Sequence, residues 1–250
     1  MSNRIIMNVV ITGGNKGIGF ATAKQIACDG VHRILILGRD ENLLRRAVDE
    51  IMFTEGNQSE VFYLQSDLTS EKDLNALKDR VESIMNSIEI LINNAGKLVN
   101  KPLELLSATD FRLVYDTNVI GLAVSTGKLL PLLERGVLHP DRSICAHVIN
   151  ISSMGGLQGS IKFNGLSAYS SSKGAVLILT ECMAEEFKGK HIHVNGLALG
   201  SVSTEMFKDA FPDFSAAVSP EKMGIFIADF ALQRAPLFNG KIIPVSSSTP

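Results

Sequence analysis

Seven short, near-continuous apolar runs recur along the chain, at 8–11, 34–37, 61–64, 88–92, 147–151, 191–197 and 241–245. A strand with one wet face alternates apolar and polar residues, whereas a strand covered on both faces reads as apolar throughout. The runs therefore predict a parallel sheet buried on both sides. Between them, 21–27 and 41–51 carry helical spacing, the second placing Leu43, Leu44, Ala47, Val48 and Ile51 on one stripe. A further helix is predicted from 174 to 187, continuing upstream through Tyr169. Strands alternating with such helices imply right-handed crossovers and a doubly wound α/β sheet, with ligands expected beyond the carboxyl ends of the strands.

Composition narrows the classes. At 250 residues, 45% hydrophobic and 20% charged, the chain supports one large domain, 1–250, and is not disordered. No internal repeat or linker divides it, and the polar end at 246–250 is expected to fray. The 24 Lys and Arg against 26 Asp and Glu form no like-charge block, which argues against nucleic acid as a partner. Cys28, Cys145 and Cys182 are odd in number and lack metal-ligand spacing, as expected for free thiols in a reducing compartment. With no run of about 18 apolar residues and no leader-like start, a cytoplasmic protein without membrane spans is expected. His191 and His193 are read as lying on one face of a strand, as structural residues and not as metal ligands.

The first predicted strand runs into Thr12-Gly13-Gly14-Asn15-Lys16-Gly17-Ile18-Gly19 and then a helix. Glycines at a strand-to-helix turn let the backbone approach a pyrophosphate, and the exposed amides of the helix start favour the anion. The second strand ends Gly38-Arg39-Asp40. An acidic residue that grips a ribose 2′-hydroxyl is expected at the strand tip, but Gly38 stands there. Arg39 and Lys16 are expected to converge on a 2′-phosphate, so NADP(H) is favoured over NAD(H), while Asp40 belongs to the next helix. Asp67, in Ser66-Asp67-Leu68-Thr69, reads as the cap of the following helix.

Tyr169 and Lys173 share a helix face at i and i+4. A phenol has a pKa near 10, too high for efficient proton exchange at neutrality, and a neighbouring ammonium is expected to lower it. Ser152 and Ser153 close the fifth strand, where a hydroxyl can bond a substrate carbonyl. Asn94, Ala95 and Gly96 end the fourth strand, and Asn118 lies inside a long helical stretch.

TGGNKGIG, SDLT, NNAG, Asn118, ISS and YSSSK occur in the order and approximate spacing of the short-chain dehydrogenase/reductase family, which the chain resembles over nearly 5–245. The resemblance implies a Rossmann-type fold and an oxidoreductase that moves hydride between a nicotinamide cofactor and a carbonyl or secondary alcohol. It implies Tyr169 as acid/base, Lys173 as its electrostatic partner and ribose ligand, and Ser153, before Ser152, as the residue that orients the carbonyl. Asn118 would hold a water that relays protons from Lys173. Cofactor contacts carry over to Gly13, Asn15, Lys16, Gly17, Ile18, Gly19, Arg39, Asp67 (here to adenine), Leu68, Asn94, Ala95, Gly96, Gly200, Val202 and Thr204. A homodimer or homotetramer is expected.

The chain also departs from the pattern. Leu199 replaces the usual proline before Gly200, and Ser246-Ser247-Ser248 replaces a segment common at subunit contacts. Ser153 and Tyr169 are sixteen positions apart, a longer gap than usual, so 158–166 is expected to form an altered pocket wall. The segment 203–220, with Met206, Phe207, Phe211 and Phe214, reads either as a mobile cap over an apolar substrate or as part of the core. Fatty acyl, steroid, sugar and quinone carbonyls stay open as substrates. Two rival readings are a non-catalytic NADP(H) sensor or scaffold, and an S-adenosylmethionine-dependent methyltransferase. The second leaves the Tyr169 and Lys173 spacing and Arg39 unexplained.

Overall fold

A computed structural model describes residues 6–139, 141, 143–233 and 235–246. Its seven strands are β1 (Asn8–Thr12), β2 (Arg33–Gly38), β3 (Glu60–Gln65), β4 (Ile90–Asn93), β5 (Ala146–Ser153), β6 (Ile192–Leu199) and β7 (Ile242–Val245). They form one parallel sheet in the order β3-β2-β1-β4-β5-β6-β7. The helices are α1 (Gly17–Asp29), α2 (Glu41–Met52), α3 (Glu71–Glu82), α4 (Ala108–Tyr115), α5 (Leu122–Leu133), α6 (Ser167–Glu186), α7 (Glu205–Ala210) and α8 (Pro220–Gln233). This is the doubly wound, Rossmann-type α/β arrangement. The strand order reverses between β1 and β4, which opens a crevice at their carboxyl ends.

Successive residues of a strand face opposite sides, so each apolar run feeds two cores. Val9, Ile11, Ile34 and Ile36 pack with residues of α1, α2 and α8, while Val10, Leu35 and Leu37 pack with residues of α3, α5 and α6. Burial on both faces is why the runs are continuous and not alternating. The strands extend past the apolar runs at their carboxyl ends, taking in Thr12, Gly38, Asn93, Ser152 and Ser153, because the parallel ladder pairs backbone whatever the side chain.

The sixth strand starts later than its pattern predicts. His191 closes a turn with φ 56° in the left-handed region, and β6 begins at Ile192. His191 and His193 therefore do not share a strand face. The neighbour of His193 is His147, opposite it in the β5–β6 register. Asp67 is likewise not a helix cap. Its carboxylate turns back to the Thr69 amide and hydroxyl at 2.9 and 2.7 Å, and Ser70 caps α3. The predicted fraying at 247–250, and with it Ser247 and Ser248, lies outside the described residues. Among the described residues no helix is long and apolar enough to cross a membrane.

Candidate active site

The glycine-rich turn is closed by steric necessity. Gly13 and Gly17 have φ of 66° and 58°, a backbone region that L side chains avoid. A Cβ at Gly19 would come within 2.4 Å of both the Gly13 carbonyl oxygen and Asn94 Nδ2. Asn94 itself ties the turn down, its amide nitrogen donating to the carbonyls of Thr12 and Gly13 at 3.1 and 3.0 Å. The backbone amides of Asn94 and Ala95 both reach Thr12 Oγ1 at 3.0 Å. The side chain of Asn94 is thus structural, and the loop it braces presents the start of α1. No side chain caps α1, whereas Asp40, Ser70, Ser107 and Thr204 cap α2, α3, α4 and α7. A helix start built on glycines and left uncapped suits a pyrophosphate.

At the adenosine end, Gly38 terminates β2 with Asn15 against it, so that a Cβ there would lie 3.0 Å from Asn15 Oδ1. Asp40 is exposed and caps α2 through the Leu43 amide at 3.0 Å. Arg39 lines a cavity of about 300 Å³ with Gln65, Asp67, Asp73 and Arg80. Burial pushes the Asp67 carboxyl up, but the bonds from Thr69 and the charges of Arg39 and Lys97 outweigh it and hold the group below its usual range. The two cations expected to converge do not both serve this end. Lys16 Nζ is bound to the Glu205 carboxylate of α7, because Gly17 brings the turn against Thr204. Lys97, which the sequence reading passed over, is the lysine that shares the field of Arg39 and Asp67. Its only signal was a charged residue directly after Gly96 at a strand end. Leu68 packs its carbonyl against Gly121, where a Cβ would come within 2.8 Å of that oxygen.

β5 delivers two serines pointing opposite ways. Ser152, 3% exposed, donates to the Lys173 carbonyl at 2.7 Å and fastens α6 to the sheet. Ser153 lies close enough to the Tyr169 phenol to draw its pKa down, and it accepts from the Gly155 amide at 3.2 Å. Ser153, not Ser152, therefore faces the Tyr169 phenol. One turn along α6, the Lys173 ammonium is buried, donates to the Ile151 carbonyl at 2.8 Å and lies 5.9 Å from the centre of the Tyr169 ring. Gly96 is its other neighbour, since a Cβ there would sit 3.5 Å from Lys173 Nζ.

Burial depresses Lys173 to about 8. The expected lowering of Tyr169 is reversed, because burial raises the phenol more than Ser153 draws it back, and the ammonium is aimed at the Ile151 carbonyl. Asn118 is fully buried in a π-helical turn, Asp116–Gly121, between α4 and α5. Its Oδ1 accepts from the Lys97 amide at 2.7 Å, and its Nδ2 donates to the Lys97 carbonyl and to Ser172 Oγ, each at 2.9 Å. A widened turn is a frequent mark of a functional position in a helix. Here it turns Asn118 toward the β4 end.

Three loops meet beside these groups. The Lys101 amide donates to the Gly165 carbonyl at 2.9 Å, and Asn100 Nδ2 donates to the Ala210 carbonyl at 2.6 Å. Phe163 meets Phe211 edge-on at 6.3 Å, and Phe207 and Phe214 pack on Phe211 at 5.3 and 6.3 Å. Phe163 and Phe214 are 62% and 71% exposed, so these rings rim the loops and do not enter the core. Val202 is buried, bridges Val218 and precedes Thr204, the cap of α7, while the Gly200 amide bonds the Val245 carbonyl at 2.9 Å.

A doubly wound sheet with an uncapped glycine turn at its switch point, and a Ser, Tyr and Lys grouped at the end of β5, defines a nicotinamide-dependent oxidoreductase class. The short chain dehydrogenase family model matches residues 7–214, and the chain belongs to that family, whose members are oxidoreductases that bind a nicotinamide cofactor. The 7α-hydroxysteroid dehydrogenase of Escherichia coli is 32% identical over 202 residues, covering 80% of this chain and 72% of the relative. Among solved structures, the NADP complex of RhlG from Pseudomonas aeruginosa superimposes with a TM-score of 0.85 at 25% identity, over 97% of this chain and 95% of that one. The 3-ketoacyl-(acyl-carrier-protein) reductase of Brucella melitensis complexed with NADH gives 0.79 at 25% identity, over 96% of each chain.

Proposed function

We propose that the chain is an NADP(H)-dependent oxidoreductase that interconverts a carbonyl compound and its secondary alcohol. The observation that carries this reading is the buried Tyr169 phenol, beside Ser153 at the end of β5 and one helical turn from the buried Lys173. When bound, the cofactor supplies or accepts hydride at the nicotinamide C4. Ser153 orients the substrate oxygen, and Tyr169 gives it a proton in reduction or removes one in oxidation. Lys173 holds the nicotinamide ribose hydroxyls and stabilises the phenolate that forms. Asn118, bonded to Ser172 and to the Lys97 main chain, keeps a water path between Lys173 and solvent.

Gly13, Asn15, Gly17, Ile18 and Gly19 would hold the pyrophosphate. Arg39, Asp67, Leu68, Ala95 and Gly96 would line the adenosine and ribose path, with Asn94 bracing it. Gly200, Val202 and Thr204 would meet the carboxamide. NADP(H) is preferred over NAD(H) in this reading because Arg39 follows Gly38 where a carboxylate would repel phosphate. The segment 203–220 acts as a cap, and its aromatic rim supports an apolar, ring-bearing ketone, in keeping with the hydroxysteroid dehydrogenase relative.

Replacing Tyr169 by Phe keeps the ring and removes the proton. Reduction of a panel of cyclic ketones with NADPH should fall at least about 100-fold, a typical loss for an acid/base group, while NADPH fluorescence titration stays within a few-fold of wild type. Turnover that survives the change would overturn the mechanism. A wild-type protein that binds NADPH yet reduces nothing in the panel would support a sensor instead.

A further inference from the structure

The lengthened wall 158–166 and the segment 203–220 are distant in sequence, yet both are fitted onto one side chain of the β4–α4 connection, Asn100. Asn100 Nδ2 donates to the Ala210 carbonyl at 2.6 Å. Ala210 is the last residue of α7, and the carbonyls of a helix's last turn have no partner within the helix. Asn100 therefore supplies the donor that finishes α7. On the other side of Asn100 lies Gly165, with φ of 83° in the left-handed region. A Cβ there would come within 2.0 Å of Asn100 Oδ1. The Lys101 amide, donating to the Gly165 carbonyl at 2.9 Å, fixes this approach from the main chain. A side chain at 165 would push Asn100 off Ala210.

Phe163 of the wall also meets Phe211, the residue after Ala210, at 6.3 Å. Apolar rings tolerate sliding, whereas a short hydrogen bond between a fixed donor and acceptor sets one position. The opposite end of α7 is tied separately, Glu205 to Lys16 of the glycine turn. α7 thus bridges the loops after β1 and β4, the two strands that flank the crevice. We propose that Asn100 is a positioning residue for substrate selection: it locks α7 and 158–166 into one rim, and that rim sets the size of ketone admitted. This rests on the oxidoreductase reading and names the residue that holds the cap in place.

The test uses the intact protein with NADPH and cyclic ketones of increasing size, for wild type, Asn100→Asp, Asn100→Ala and Gly165→Ala. Asn100→Asp keeps the shape and turns an acceptor toward the Ala210 carbonyl. It should raise KM for the preferred ketone about fivefold or more, lower kcat by less, and leave NADPH affinity within about twofold. Discrimination between large and small ketones should flatten. Asn100→Ala and Gly165→Ala should shift KM and discrimination in the same direction. Lys162 and Lys208 are exposed in the wall and in α7, and trypsin should cut after them faster in Asn100→Asp, a readout that needs no turnover, while the urea midpoint stays near that of wild type. Wild-type KM and discrimination in the Asn100 variants, or unchanged cleavage, overturn the role. So does a joint loss of ketone affinity, NADPH affinity and urea midpoint, which marks a residue of general stability. A wild type that reduces none of the ketones refutes the oxidoreductase reading and the selection role with it.

Discussion

At Tyr169, Lys173 and His147, burial sets the proton chemistry more than pairing does. Tyr169 and Lys173 are shifted in opposite directions by the same loss of water, which keeps the phenol protonated and brings the ammonium to about 8. His147 is the third such case, far from the reaction. It is buried between β6 and α8, its Nδ1 3.5 Å from the Ala231 carbonyl, its Nε2 3.0 Å from Asn195 Nδ2, and Phe230 beside it at 5.4 Å. Burial, with the nearby charge of His193 adding to it and the Ala231 contact opposing it, depresses the imidazole from 6.5 to about 4. The unfolded chain then binds the extra proton first. Stability contributed by neutral His147 is present above about 6.5 and is lost as pH falls toward 4, by about 3 kcal/mol at most. Urea unfolding of wild type and His147→Asn at pH 7.5 and 5 should show a steeper loss for wild type. Equal losses would mean that carboxylates alone govern the acid limb.

At the scale of elements, the glycine turn and the π-helical turn do complementary work. The first removes side chains so that backbone can close on Asn94, and the second swings Asn118 out of the helical register to grip Lys97. Gly19→Ala would force its methyl against the Gly13 carbonyl and Asn94 Nδ2. The turn must open, and cofactor affinity should drop at least about tenfold, with destabilisation of about 1–3 kcal/mol. Gly127→Ala makes the control, since nothing lies within 4 Å of the added methyl and an exposed helix position gains up to about 1 kcal/mol from the change. Calorimetry against NADPH decides this. Unchanged affinity in Gly19→Ala would show that the close approach is not needed for binding.

On the molecular scale, the parallel sheet places the carboxyl ends of β1 to β6 along one edge, and the candidate groups lie at that edge or on the elements that follow it. Behind the site, Val119, Ile120, Ala123 and Val124 face Ala175, Ile178, Leu179 and Cys182 across an apolar surface groove of about 690 Å³. Ile178 is 63% exposed there. We propose this groove as a contact surface for self-association through α5 and α6. Ile178→Asp should shift the mass seen by light scattering from an oligomer to a monomer. A monomeric wild type, or a variant that still assembles, would place the contact elsewhere.

The sequence by itself determined the fold class and the seven strands, and it named most of the residues gathered at the candidate site, because continuous apolar runs have one economical arrangement and because Gly13, Gly17, Tyr169 and Lys173 are set by local geometry. Arg39 and Asp40 were legible for the same reason, since a strand tip and a helix cap are neighbours in the chain. What only the tertiary structure decided concerns groups that meet across elements. Pairing of Lys16 with Glu205, the gathering of Lys97 with Arg39 and Asp67, and the bond that fastens Ser152 to the Lys173 carbonyl depend on where β4, β5 and α7 end in space. The direction of the Tyr169 shift belongs here too. Spacing along a helix shows that two side chains share a face, but the water excluded around them and the carbonyl that captures the ammonium come from strands distant in sequence.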